Sequence, residues 1–172
     1  MKKWFGSLNG LNLIEIGVGF GGQCKIIMDY FQPASYTLVD LPNALALTKK
    51  YLGHFNLKNL DFRTEDELVG GKSYDLVISN YAFTAFDKDV QERYLRKVFR
   101  FSRLGILKCH YMVEGINGLR YSKAELLQQI QSSKILPHIP GSPDCFTWVW
   151  GIQSELEHAD LDGESVKGVV KV

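Results

Sequence analysis

The chain has 172 residues, 45% of them hydrophobic and 23% charged, with 20 basic residues against 19 acidic ones. That length suits one domain with a full core, and a net charge of +1 leaves no electrostatic footprint for nucleic acid. No apolar run approaches the ~20 residues of a membrane-spanning helix, so neither nucleic acid nor membrane is an expected partner.

The N-terminal stretch MKKWFGSLNGLNLIEIG starts basic, but Ser7, Asn9 and Asn12 interrupt its apolar run and make it a poor signal peptide. LNLIEI (11–16) reads as a buried strand and QCKIIMDYF (23–31) as a helix, with Ile26, Ile27, Tyr30 and Phe31 at helical spacing. SYTLVDL (35–41) is a second strand, closed by Pro42. NALALTKKYLGHF (43–55) follows as a helix with Ala44, Leu47, Tyr51 and Leu52 on one face. LDFRT (60–64) is a short third strand, and YDLVISNYAF (74–83) is the clearest strand of all. DKDVQERYLRKVFRFS (87–102) sets Val90, Tyr94, Leu95, Val98 and Phe99 along one stripe. RLGILKCHY (103–111) is a strand. YSKAELLQQIQSS (121–133) is a helix whose Ser122 and Glu125 form a capping box. KILPHI (134–139) and CFTWVWGI (145–152) are two more strands, and the polar tail 153–172 carries no legible element.

Strands alternating with helices predict a mainly parallel sheet covered on both faces. The whole chain, 1–172, reads as one domain with its core over 11–152. Cys24, Cys109 and Cys145 are odd in number and lack metal or redox spacing, so a reduced, cytoplasmic protein is expected.

Chemistry concentrates where strands end. GVGFGG starts at the end of the first strand and leads into a helix, the position at which open parallel sheets bind nucleotides. Gly17 and Gly19 would let backbone pass under a ligand, and Gly21 or Gly22 would let the helix pack near the strand. Asp40 ends the second strand, 19 residues past Gly21, where a carboxylate can accept both ribose hydroxyls. NAD and S-adenosylmethionine fit those features equally; Glu15 separates them. An acid two residues before the first glycine would repel a pyrophosphate and attract a sulfonium and an ammonium. The other reading of Glu15 is a bond to backbone amides of the glycine turn.

The stretches IEIGVGFGG, YTLVDLPNALAL with KKYL, and YDLVISNYAFTAFDKDVQERYLRKVF together resemble the class I S-adenosylmethionine-dependent methyltransferases. Within that superfamily they are similar to the sugar O-methyltransferase group, over roughly residues 11–152. Thr84-Ala85-Phe86 stands where that group carries an acidic residue. The resemblance implies a Rossmann-like three-layer α/β sandwich: a seven-stranded, mostly parallel sheet with one antiparallel strand near the edge, for which CFTWVWGI is the candidate. It implies S-adenosylmethionine as cofactor, held by Glu15, Gly17, Gly19, Gly21, Asp40, Leu41 and Asn80. Glu65 and Asp66, after the third strand, sit where that fold contacts adenine.

Methyl transfer to a weakly acidic hydroxyl benefits from a base at the carboxyl end of a strand. His110 is the best candidate, because imidazole titrates near neutrality, with Asn80 and Tyr81 beside it at the end of the fourth strand. His54 and His138 read as structural or exposed, and Asp144 as a turn residue or a second base. Tyr81, Phe83 and Phe86 form an aromatic cluster that either meets a sugar ring or joins the core. No spacing demands a metal. The expected activity is methyl transfer to a hydroxyl of a sugar, a sugar nucleotide or another small hydroxylated metabolite; the alternative is a binding module without catalysis. An NAD-linked oxidoreductase is disfavoured by Glu15 and by the lack of a Tyr-x-x-x-Lys pair.

Overall fold

A computed structural model of the chain describes residues 6–110, 119–137 and 145–152. The sequence readings at Tyr111, His138, Asp144 and the tail 153–172 lie outside the described residues.

Seven strands form one sheet: β1 (Asn12–Ile16), β2 (Ser35–Val39), β3 (Leu60–Arg63), β4 (Tyr74–Asn80), β5 (Ser102–His110), β6 (Lys134–Pro137) and β7 (Cys145–Trp150). Their order is β3-β2-β1-β4-β5-β7-β6. β7 runs antiparallel to both its neighbours, so it is the reversed strand, one place in from the edge. The chain builds outward from β1 to β3, then returns to place β4 on the other side of β1. That reversal opens a crevice above the carboxyl ends of β1 and β4.

Among the described residues four α-helices connect the strands: α1 (Gly22–Tyr30), α2 (Pro42–Leu52), α3 (Lys88–Lys97) and α4 (Lys123–Gln129). One sheet face, with Leu13, Leu38, Leu76, Ile78 and Ile106, packs on Cys24 and Ile27 of α1 and on Leu45 and Leu52 of α2. The opposite face, with Ile14, Ile16, Val77, Leu107 and Trp148, packs on Tyr94 and Leu95 of α3 and Leu126 of α4. Each fully buried side chain contributes on the order of 1.5–3 kcal/mol, so these two layers carry most of the stability.

Local chemistry sets the boundaries. β4 stops at Asn80 rather than running to residue 83, because Tyr81 takes a positive φ of 61° that no strand accommodates. α3 ends at Lys97 and passes into a 3-10 turn, Phe99–Phe101, where the Ser102 hydroxyl bonds the carbonyls of Val98 and Phe99. α4 opens on the expected capping box: Ser122 Oγ accepts from Glu125 N and the Glu125 carboxylate accepts from Ser122 N. α1 departs from its apolar pattern. Only Cys24 and Ile27 are buried, while Ile26 and Tyr30 are 61% and 79% exposed. On α2 the inward face is Leu45, Thr48 and Leu52, with Leu47 outside.

Candidate functional site

The loop after β1 is pinned from three sides. Gly17 has φ +76°, and a Cβ there would come within 2.0 Å of the Ala82 Cβ. The segment after β4, rather than any ligand, therefore demands glycine at that position. Gly19 has φ +58° and nothing within 4 Å of a hypothetical Cβ, so its open side is the path a ligand can take. Gly21 packs against Thr48 and Leu52 of α2. Gly19 N donates to Asp40 Oδ2 at 2.9 Å, Leu41 N donates to Asp40 Oδ1 at 2.7 Å, and Thr48 Oγ1 donates to Gly19 O at 2.7 Å. Asp40 thus braces the glycine loop itself. Each of its oxygens keeps a lone pair for a further donor. Leu41 is exposed beside it.

Glu15 is buried, and its partner is a side chain, not the backbone amides of the glycine turn. Tyr36 Oη donates to Glu15 Oε2 at 2.6 Å. Burial raises the Glu15 carboxyl, the Tyr36 hydrogen bond pulls it partly back, repulsion from Asp40 adds to the rise, and the net result is a value of about 7. Burial, together with the Glu15 charge, pushes the Cys24 thiol up to about 12 and raises the Tyr36 phenol well above its ordinary range. At the end of β4, Asn80 Nδ2 donates to Gln23 Oε1 on α1.

A cavity of about 820 Å³ opens at this point, between α1 and the ends of β1, β4 and β5. Glu15, Gly17, Gly19, Gln23 and Asn80 line its polar end; Phe20, Ile26, Tyr30, Phe31 and Ile106 line its apolar wall, and Lys108 joins them from β5. Four of the residues singled out in the sequence, Glu15, Gly17, Gly19 and Asn80, therefore share one cavity, and Asp40 is one hydrogen bond away. Apolar walls with a few convergent polar groups are the usual make-up of a small-molecule site.

The remaining candidates stand apart from that lining. Tyr81 is 44% exposed, held at its positive φ by Tyr81 N donating to Lys108 O at 2.7 Å. Bulky residues in this region concentrate at functional sites. His110 ends β5, where its N–H donates to Thr84 Oγ1 at 3.2 Å. Glu65 faces α3, its carboxylate paired with Arg93 at 2.8 Å and Lys97 at 2.9 Å. Asp66 is exposed in the same loop. Phe83 is buried against Phe99 and Trp148, and Phe86 stacks on Tyr94, so the aromatic cluster is core except for Tyr81. His54 is exposed in the 3-10 turn Gly53–Phe55.

Sequence reasoning missed Gln23, Tyr36 and Lys108. Gln23 is the first polar residue after the glycine run, and Lys108 interrupts an apolar strand; both were legible as exceptions to pattern. Tyr36 was not, since a tyrosine in a strand looks like core until its hydroxyl has a partner. Among the described residues no group of three His, Cys, Asp or Glu side chains could hold a metal, and no helix is long and apolar enough to cross a membrane.

No protein-family model matches the chain, and no curated protein matches its sequence. Solved structures do match. An S-adenosylmethionine-dependent methyltransferase from Mesorhizobium loti is similar at TM-score 0.61 and 15% identity, over 83% of this chain and 91% of that one. One from Aquifex aeolicus is similar at 0.59 and 15%, over 84% of both chains. The CurJ carbon methyltransferase is similar at 0.60 and 13%, over 83% of this chain; the chain spans about half, 48%, of CurJ's length. The fold is the one these methyltransferases share.

Proposed function

We propose that the protein transfers a methyl group from S-adenosylmethionine to a hydroxyl of a small molecule, with a sugar or sugar nucleotide as the acceptor class. The observation that carries this reading is the convergence of Glu15, Gly19 and Asn80 on one cavity, with Asp40 bonded to the loop at its edge. The residues fit the cofactor: Gly19 leaves open space where a ligand must pass, Asp40 can accept from ribose hydroxyls, and a buried acid suits a cationic group. Similar solved structures described as S-adenosylmethionine-dependent support the same donor.

The sulfonium, when bound, supplies the activated methyl group. The chain's own contribution is orientation and exclusion of water. Asp40 and the glycine loop would hold the nucleoside end, Glu15 and Asn80 would receive the ammonium of the zwitterionic amino-acid end, and the apolar wall would keep water from the sulfur. In this reading His110, at the end of β5, takes the acceptor's proton, and Tyr81, exposed after β4 and outside the cavity lining, positions the acceptor. The resemblance of SNYAF and VDLP to the sugar O-methyltransferase group supports a sugar hydroxyl, and the reduced cysteines suit the cytoplasm.

Calorimetric titration with S-adenosylmethionine and with NAD tests the donor; binding of NAD alone would end this reading. Incubation with a labelled methyl donor and pooled sugars, sugar nucleotides, amines and carboxylates tests the acceptor. Label is expected in the hydroxylated pools, and label confined to amines would reject oxygen as the nucleophile.

A further inference from the structure

Four polar side chains adjoin one another in sequence through space: Glu15 on β1, Tyr36 on β2, Gln23 on α1 and Asn80 on β4. Their hydrogen bonds have a direction. Tyr36 gives its single hydroxyl proton to Glu15 Oε2. Its oxygen can then offer only lone pairs to the Gln23 amide that adjoins it. An amide in that position turns its NH2 toward the hydroxyl and its carbonyl away. Gln23 is so oriented: Nε2 is buried with no completed hydrogen bond, and Oε1 accepts from Asn80 Nδ2. Asn80 has thereby committed its donor side inward, which leaves Oδ1 as its acceptor at the cavity that Glu15, Gln23 and Asn80 all line.

We infer that Gln23 is a positioning residue, relaying the hydrogen-bond polarity set by Glu15 through Tyr36 so that Asn80 Oδ1 is held as an acceptor for the ammonium of the methyl donor's amino-acid end. The inference rests on the donor proposed above. An ammonium carries only N–H donors, and the polar end of the cavity offers it acceptors from two strands, the Glu15 carboxylate and Asn80 Oδ1. Without Gln23, the Asn80 amide is free to turn its NH2 outward, where it would oppose the same ammonium.

The test compares two ligands that share the adenosine and thioether but differ in the amino-acid end. S-adenosylhomocysteine carries that end, and methylthioadenosine lacks it. Calorimetry on wild type, Gln23→Met and Gln23→Glu should show S-adenosylhomocysteine binding about tenfold weaker in Gln23→Met, with methylthioadenosine unchanged. Gln23→Glu, whose carboxylate still accepts from Asn80 Nδ2, should recover the lost affinity. Asn80→Ala should show the same selective loss, so the test survives a Gln23→Met variant that does not fold. An equal loss for both ligands, no loss, or failure of Gln23→Glu to recover affinity overturns the inference while leaving the donor assignment intact. Failure of wild type to bind either ligand overturns the donor assignment, and the inference falls with it.

Discussion

The hydroxyl of Tyr36 donates to the carboxylate of Glu15 across neighbouring parallel strands, at 2.6 Å and inside the core. Both residues belong to the sheet face that α1 and α2 cover, and both are buried, Tyr36 wholly and Glu15 with its edge on the cavity. A buried acid with a single neutral donor is a costly arrangement, retained here beside the cavity mouth. Removing the donor should be felt at once. Tyr36→Phe is expected to destabilise the fold by about 1.5–3 kcal/mol above neutral pH, read from urea unfolding, because an ionised carboxylate is left without its donor. Unchanged stability would show that Glu15 finds another partner.

The raised Glu15 carboxyl makes stability and binding move with pH in opposite directions. Its folded value of about 7 lies above the ordinary 4.5, so the folded chain holds this proton more tightly than the unfolded chain. The stability that this group contributes is complete below about pH 4.5 and is lost as pH rises through about 7. A cationic ligand prefers the ionised form, so S-adenosylmethionine affinity should rise on the order of tenfold between about pH 6 and about pH 8. Glu15→Gln should flatten both profiles. A wild-type affinity that is constant over that range would remove Glu15 from the cation's surroundings.

Gly17 and Gly19 need to be glycine for different reasons, and alanine separates them. Gly17→Ala places a methyl into Ala82 at a positive φ, so a loss of about 2–4 kcal/mol in stability is expected. Gly19→Ala meets open space and incurs only the strain of its φ, about 1–2 kcal/mol. Its larger effect should be on ligand affinity, because the methyl occupies the approach path. Equal melting temperatures with equal affinities in the two variants would contradict this division.

Glu65 and Asp66 are neighbours in different surroundings, one paired with α3 and the other exposed. Burial alone would raise the Glu65 carboxyl, but hydrogen bonds from Lys97 and Arg93 and their charges outweigh it, and the net shift is downward. Its stabilising contribution is therefore present above the ordinary carboxylate range and lost as pH falls through its lowered folded value. Glu65→Ala should lower the melting temperature with little change in nucleoside affinity. Asp66→Ala should do the reverse if the adenine amine reaches this loop. Thermal melting and methylthioadenosine titration distinguish them, and a stability loss confined to Asp66→Ala would reverse the roles.

Much of this could be read along the chain because it repeats locally. The seven strand segments and the capping box at Ser122 and Glu125 each follow from a run of apolar residues or from a capping residue at a fixed offset, whereas the reversal of the strand at 145–150 was implied by the family resemblance and by no local pattern. The glycine loop and Asp40 were legible for the same reason: the spacing between two strand ends is a chain distance. Helix faces were less so. Ile26 and Tyr30 have helical spacing, yet they flank a cavity instead of filling a core, and the cavity's other lining includes Ile106 and Lys108 of β5, some 80 residues further on.

By itself the sequence determined that acids and glycines converge at the carboxyl ends of a parallel sheet, since alternation and spacing are properties of a single strand and its neighbours in the chain. Only the tertiary structure decided which acid does what. Asp40 braces the glycine loop through Gly19 N, Glu15 is held by Tyr36 in place of backbone amides, and Glu65 is tied to α3. Hydrogen bonds and ion pairs are made across space between residues 21, 28 and 57 positions apart, and each has a direction and a geometry that no run of letters encodes.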